Sequence, residues 1–136
     1  MAKLPGLNIE MGLDHTNVTK SMKSLKSEIS LVNSEMRKNM SAFDYSERSA
    51  QKYQTRLDGL EKKLKIQGEV VKNAKKNLSD MSEEFGENSE QAKKAERQLN
   101  NAEAQYNNLE RSVDKAKLQL EEFNKEQDIS ENKWTQ

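Results

Sequence analysis

From Val18 onward the chain repeats apolar residues every three and four positions. One set is Met22, Ile29, Met36, Phe43, Ala50, Leu57, Leu64, Val71, Leu78 and Phe85. The interleaved set is Val18, Leu25, Val32, Asn39, Ser46, Tyr53, Leu60, Gln67, Ala74 and Met81. These are the a and d positions of consecutive heptads, and only Asn39, Ser46 and Gln67 among them are polar. The pattern resumes with Ala92, Leu99, Tyr106, Val113 and Leu120 at a, and Ala95, Ala102, Leu109, Ala116 and Phe123 at d. A sustained 3.5-residue period with charged flanks predicts long helices that pair along a narrow seam.

The first thirteen residues follow another rule. Pro5-Gly6 breaks helix, and Leu7, Ile9, Met11 and Leu13 then alternate with polar or small residues. Period two predicts a short strand over 7–13, which needs a partner strand to be stable; an unordered terminus is the alternative reading.

Two places interrupt the helical period. Around Asn39 to Ser49 the d positions turn polar, and Asp44 with Glu47 has the spacing of a helix cap. At Gly86-Glu87-Asn88-Ser89, Gly86 suits a helix stop, and Asn88 or Ser89 a helix start. The expected fold is all-α: an elongated helical coiled coil. A first helix over about 16–43 leads into a long antiparallel hairpin of about 46–85 and 89–127, turning at Gly86, Asn88 and Ser89. Residues 1–15 form an arm and 129–136 a tail. The heptad phase also runs unbroken from Phe85 to Ala92, which permits one continuous helix of about 165 Å against arms of about 60 Å; the stop and start signals favour the hairpin.

Folding about the Gly86–Glu87 bond gives facing layers of Met81/Ala92, Leu78/Ala95, Ala74/Leu99, Val71/Ala102, Gln67/Tyr106, Leu64/Leu109, Leu60/Val113, Leu57/Ala116, Tyr53/Leu120 and Ala50/Phe123. Each alanine then meets a larger residue, as interdigitation requires. Gln67 is expected to use the Tyr106 hydroxyl. Gly59 and Gly68 stand off the seam, where each weakens its helix by about 1 kcal/mol relative to alanine.

Composition narrows the class. A third of the residues are charged and 32% hydrophobic, too little for a thick core but enough for a seam. The 23 basic and 23 acidic residues cancel. They are not evenly spread: residues 50–79 hold eight basic and three acidic groups, residues 80–136 eight and fourteen. Opposite signs favour pairing of the two arms, weakly at a solvated surface. The chain has no cysteine, which excludes disulfides and thiol chemistry, and no apolar run of membrane-spanning length.

Candidate chemistry is sparse, and no enzyme, cofactor or metal site is expected. His15 is the only histidine, beside Asp14, and reads as a solvated helix entry. Glu83-Glu84 and Glu121-Glu122 are sequence neighbours, so they do not converge on one site. Lys62, Lys63, Lys65, Lys72, Lys75 and Lys76 form a basic stretch without interleaved aromatics, which reads as a solvated face rather than a specific nucleic-acid or membrane site. Trp134 is either a partner anchor or a stray residue in the tail.

Several strings occur in a characteristic order. They are Gly6-Leu7-Asn8-Ile9-Glu10-Met11-Gly12-Leu13-Asp14, Leu31-Val32-Asn33-Ser34-Glu35-Met36 with Ser41-Ala42-Phe43-Asp44, Tyr53-Gln54-Thr55-Arg56-Leu57-Asp58-Gly59-Leu60, and Phe85-Gly86-Glu87-Asn88-Ser89 with Arg97-Gln98-Leu99-Asn100-Asn101-Ala102-Glu103. In order and spacing, from Gly6 to about Val113, the chain resembles the N-terminal region of tail tape measure proteins of long-tailed, non-contractile phages of Gram-positive hosts. Those proteins are far longer and contain apolar segments, so this chain reads as a first region or a shortened relative. The resemblance implies a virion structural protein that lies in the tail tube and sets its length. It also implies partnership with the tube protein and with tail assembly chaperones, and residence in the host cytoplasm during assembly and then in the tail lumen. Self-association through the heptads is expected. The alternative is a generic coiled-coil interaction module, an adaptor or chaperone-like arm, without ruler function.

Overall fold

The structure, a computed structural model, describes residues 20–135, with side chains through residue 129. The expected strand at 7–13, His15 and the start of the first helix lie outside the described residues. Three helices account for nearly all of the rest, and no strand occurs among the described residues.

Helix α1 spans Met22–Met40. Ser21 caps it, its hydroxyl accepting the Ser24 amide at 3.1 Å. It ends at Met40, short of the expected residue 43, and the Ser41 amide closes the last turn on the Arg37 and Asn39 carbonyls. Residues 41–49 are turns. The expected Asp44/Glu47 cap is a turn of its own: the Glu47 amide donates to the Asp44 carbonyl at 3.0 Å, and the Asp44 amide reaches the Glu47 carboxylate at 3.4 Å. The true cap of the second helix is Ser49, whose hydroxyl accepts the Lys52 amide at 3.2 Å while donating to Glu47 at 2.9 Å. The Lys52 ammonium folds back to donate to the carbonyls of Asp44, Tyr45 and Glu47, at 3.0, 3.0 and 3.2 Å. One side chain thus gathers three backbone carbonyls of the turn, that of Asp44 accepting the Glu47 amide as well.

Helix α2, Ala50–Phe85, runs 36 residues, about 54 Å. It stops at Gly86, whose φ of 96° and ψ of 150° is a backbone region that only glycine adopts without strain. Ser89, rather than Asn88, starts helix α3: its hydroxyl accepts the Ala92 amide at 3.1 Å and donates to the Gly86 carbonyl at 2.7 Å. Helix α3, Glu90–Thr135, runs 46 residues, about 69 Å.

Helices α2 and α3 lie side by side in opposite directions. Gln67 bonds to Ala102, Tyr53 stacks near Phe123, and Arg48 reaches Glu126. Helix α1 packs on α2, also antiparallel: Asn73 donates to the Lys20 carbonyl at 2.8 Å, and Met36 lies over Gly59. Apolar residues of all three helices share one cluster, in which Leu25 of α1 sits with Val70, Val71 and Ala74 of α2 and Leu99, Ala102 and Tyr106 of α3. A second cluster of Leu57, Val113 and Ala116 holds α2 and α3 together nearer the start of α2.

Candidate interaction surface

The surface between α2 and α3 is where the heptad residues meet. Leu57, Gln67, Val71, Leu99, Tyr106 and Val113 are buried in it. Tyr53, Leu60, Leu64, Leu78, Met81, Leu109, Leu120 and Phe123 are half-buried. Val71 is 1% exposed, and Leu99, Ala102 and Ala95 are at 5% or less. Alanines at Ala92, Ala95, Ala102 and Ala116 bring the α3 backbone close enough for the leucines and valines of α2 to fill the space between. At the far end the Tyr53 and Phe123 rings meet with centroids 5.4 Å apart, tilted by 60°. Of the turn residues, Gly86 and Ser89 act as described above, and Asn88 is exposed.

Two details differ from expectation. Gln67 is 2% exposed, and its amide donates to the Ala102 carbonyl at 3.0 Å rather than to the Tyr106 hydroxyl. A helix carbonyl has a second lone pair, so the Ala102 carbonyl takes this bond beside its own helix bond. The opposite charges of the two arms also meet little. Among the described residues the one ion pair that reaches α3 from the α2 side is Arg48–Glu126 at 3.1 Å, exposed at both ends. Such a pair contributes little.

The pattern of a and d positions gave no sign of where α1 sits. It lies on another face of α2, over Gly59, Ile66 and Val70. The available signal was that Ile66 and Val70 are apolar off the seam, with Gly59 one heptad before Ile66. Gly59, read only as a helix weakness, is the point of closest approach: a β-carbon there would run into the Met36 side chain, 2.6 Å from its sulfur.

One charged group is enclosed. Glu103 is 5% exposed. Burial pushes its carboxyl pKa up, and Lys75, the nearby opposing charge, offsets this only in part. Burial, with Glu110 nearby, also raises the Tyr106 hydroxyl pKa. Asn107 Oδ1 and Glu28 Oε2 are enclosed without a hydrogen-bond partner.

The two grooves beside α1 hold no convergent chemistry. The larger, about 490 Å³, mixes Glu35, Lys38, Asp58 and Lys62 with Val32, Met36 and Phe43. The smaller, about 240 Å³, is lined by Gln67, Gln98, Asn101 and Gln105 beside Met22 and Val70. Among the described residues no group of His, Asp or Glu could hold a metal ion, and no helix is long and apolar enough to cross a membrane. Lys62 and Lys65 are exposed and Lys63, Lys72, Lys75 and Lys76 half-exposed, Lys76 pairing with Asp80 at 2.7 Å. This arrangement offers long helical surface for pairing. The chain matches no protein-family model, no curated protein and no solved structure.

Proposed function

We propose that the protein is a structural tail component of the tape measure kind, acting as a coiled-coil hairpin that supplies length and pairing surface within a phage tail tube. The observation that carries this reading is the pair of helices of 36 and 46 residues, joined by a four-residue turn and sealed by a heptad seam. A helix converts residue number into length at a constant 1.5 Å per residue, which is what a ruler needs. The ordered motifs from Gly6 to about Val113 supply the phage tail context. In this reading the tube protein and the assembly chaperones are its partners, met first in the host cytoplasm and then in the virion.

One observation favours a second reading. Folding α3 back on α2 gives each pair of residues only one rise of length, which is wasteful in a ruler and natural in a coiled-coil docking module. The test is an in-phase deletion of residues 64–77 together with 96–109 in the phage that encodes the chain, followed by measurement of tail length by electron microscopy. Tails shortened by about 42 Å mean that the arms open and every residue counts, and about 21 Å that the hairpin persists and each pair counts once. Infectious particles with tails of unchanged length defeat the ruler and leave the interaction module.

A further inference from the structure

Helix α1 covers one flank of the α2–α3 pair. Its neighbours are Gly59, Ile66, Val70 and Asn73 of α2, with Gln98 and Gln105 of α3. In heptad terms these are c and g positions, which at about 100° per residue stand beside the d residues of the seam. The other flank carries the e and b positions, beside the a residues. They are Lys65, Gly68, Lys72 and Lys75 from α2, and Glu103 and Asn107 from α3. Among the described residues no third helix lies on that flank.

This second flank has one enclosed stretch. Gly68 is buried, and Glu103 of α3 is 5% exposed. Glu96 and Glu110, one heptad to either side of Glu103, are half-exposed. The glycine leaves a notch in the flank where a side chain would stand. The stretch also holds acceptors short of donors. Asn107 Oδ1, one helical turn from Glu103, is enclosed without a hydrogen-bond partner. The burial of Glu103 is offset only in part by Lys75. Enclosed acceptors of this kind are normally satisfied, and an extended backbone laid along the stretch brings N–H donors.

The segment ahead of α1 suits this stretch in length, reach, pattern and charge. From Glu96 to Glu110 is about 21 Å along α3 at 1.5 Å per residue; residues 7–13, extended, run about 23 Å. Lys20 is fastened beside α2, its carbonyl accepting the Asn73 amide at 2.8 Å. Asn73 stands about 7.5 Å along the helix from Gly68. Residues 14–19 reach up to about 20 Å, enough to pass around the outer face of α2. Leu7, Ile9, Met11 and Leu13 alternate with Asn8, Glu10 and Gly12, so one edge of an extended segment is apolar and the other polar. Between Gly6 and Asp14 the charges are Glu10 and Asp14, both acidic. The α2 edge of the flank is basic, with Lys65, Lys72 and Lys75, while Glu96 and Glu110 make the α3 edge acidic.

We infer that residues 7–13 of the same chain dock in extended form along this stretch, their apolar edge on the seam at Gly68 and Glu10 toward the lysines of α2. The docking belongs to the isolated chain and does not rest on the tail-tube reading.

The test uses the full chain, which has no cysteine of its own. Met11→Cys is paired with Lys72→Cys on the flank, or with Ala104→Cys on the exposed back of α3, and each variant is oxidised at low concentration. A disulfide within one chain is expected to form at least about tenfold faster with Lys72→Cys, because docking raises the effective concentration of the two thiols. In a second measurement Glu103→Cys alone is expected to react slowly with a thiol reagent. Adding Ile9→Asp and Met11→Asp should speed that reaction at least about tenfold by undocking the segment, and leave the reactivity of Ala104→Cys unchanged. Helix content by circular dichroism stays at the parent level, which separates undocking from unfolding. Equal rates with Lys72→Cys and Ala104→Cys overturn the inference, as does a Glu103→Cys thiol indifferent to the two aspartates. Disulfides that join two chains also overturn it, and assign the flank to the segment of a second copy.

Discussion

Gly59 offers the sharpest test of how α1 is held. Replacing it with alanine has two opposed effects. In an isolated helix the change is favourable by about 1 kcal/mol, because glycine has more backbone freedom to lose. In this fold the new methyl meets three atoms of Met36: Cγ, the sulfur at 2.6 Å and Cε at 2.8 Å. Since Cγ lies near the backbone of α1, rotating only the end of the side chain does not clear the clash, and either the whole Met36 side chain changes rotamer or α1 shifts. Overpacking of this kind costs about 1–3 kcal/mol, so Gly59→Ala is expected to destabilise by about 1 kcal/mol once the helix gain is subtracted. With Met36→Ala already in place the obstacle is gone, and the same Gly59→Ala step should then stabilise by about 1 kcal/mol. The assay is urea denaturation of the parent, both single variants and the double variant, read by circular dichroism as a double-mutant cycle. The decisive quantity is the sign of the Gly59→Ala effect in the two backgrounds. The same sign in both refutes the close approach of α1 to α2 at this position.

Three further outcomes are expected. Glu103→Gln should raise the melting temperature at neutral pH and leave it unchanged at strongly acid pH. The folded pKa of Glu103 is above its ordinary 4.5, so its unfavourable contribution is absent below that value and sets in as pH rises through the folded pKa; melting curves across pH check the sign. Gly86→Ala forces a side chain into a conformation reserved for glycine and should cost about 1–3 kcal/mol in chemical denaturation, even though the space around it is open. Leu57→Ala empties the centre of the second cluster and should cost about 2–4 kcal/mol, measured in the same way.

Helix content and the all-α class were legible in the sequence, because a 3.5-residue apolar period over so many residues has one main physical solution. Boundaries were less so: Asp44 and Glu47 had the spacing of a cap, but Ser49 lies nearer the first helical turn and its hydroxyl takes the amide instead. The position of α1 was hidden for a different reason. Its docking face on α2 depends on a missing side chain at Gly59, and a pattern of apolar residues cannot register an absence of bulk. Gln67 was recognisable as a buried polar position, but its partner was a backbone carbonyl, which every residue of α3 offers equally. Glu103 looked like any surface glutamate; its enclosure arises from the approach of two helices at a level where α2 carries the buried Gly68.

The turn at Gly86 also sets how the molecule responds to being pulled. The pairs nearest it are close in sequence, while Arg48 and Glu126 are 78 residues apart. Tension applied between the start of α2 and the far end of α3 loads the Tyr53–Phe123 layer first, and the next layer only when that one yields. The pair opens like a zipper rather than shearing as a block. Resistance at any moment is that of a single layer, and after release the intact turn holds the arms together to re-pair in register.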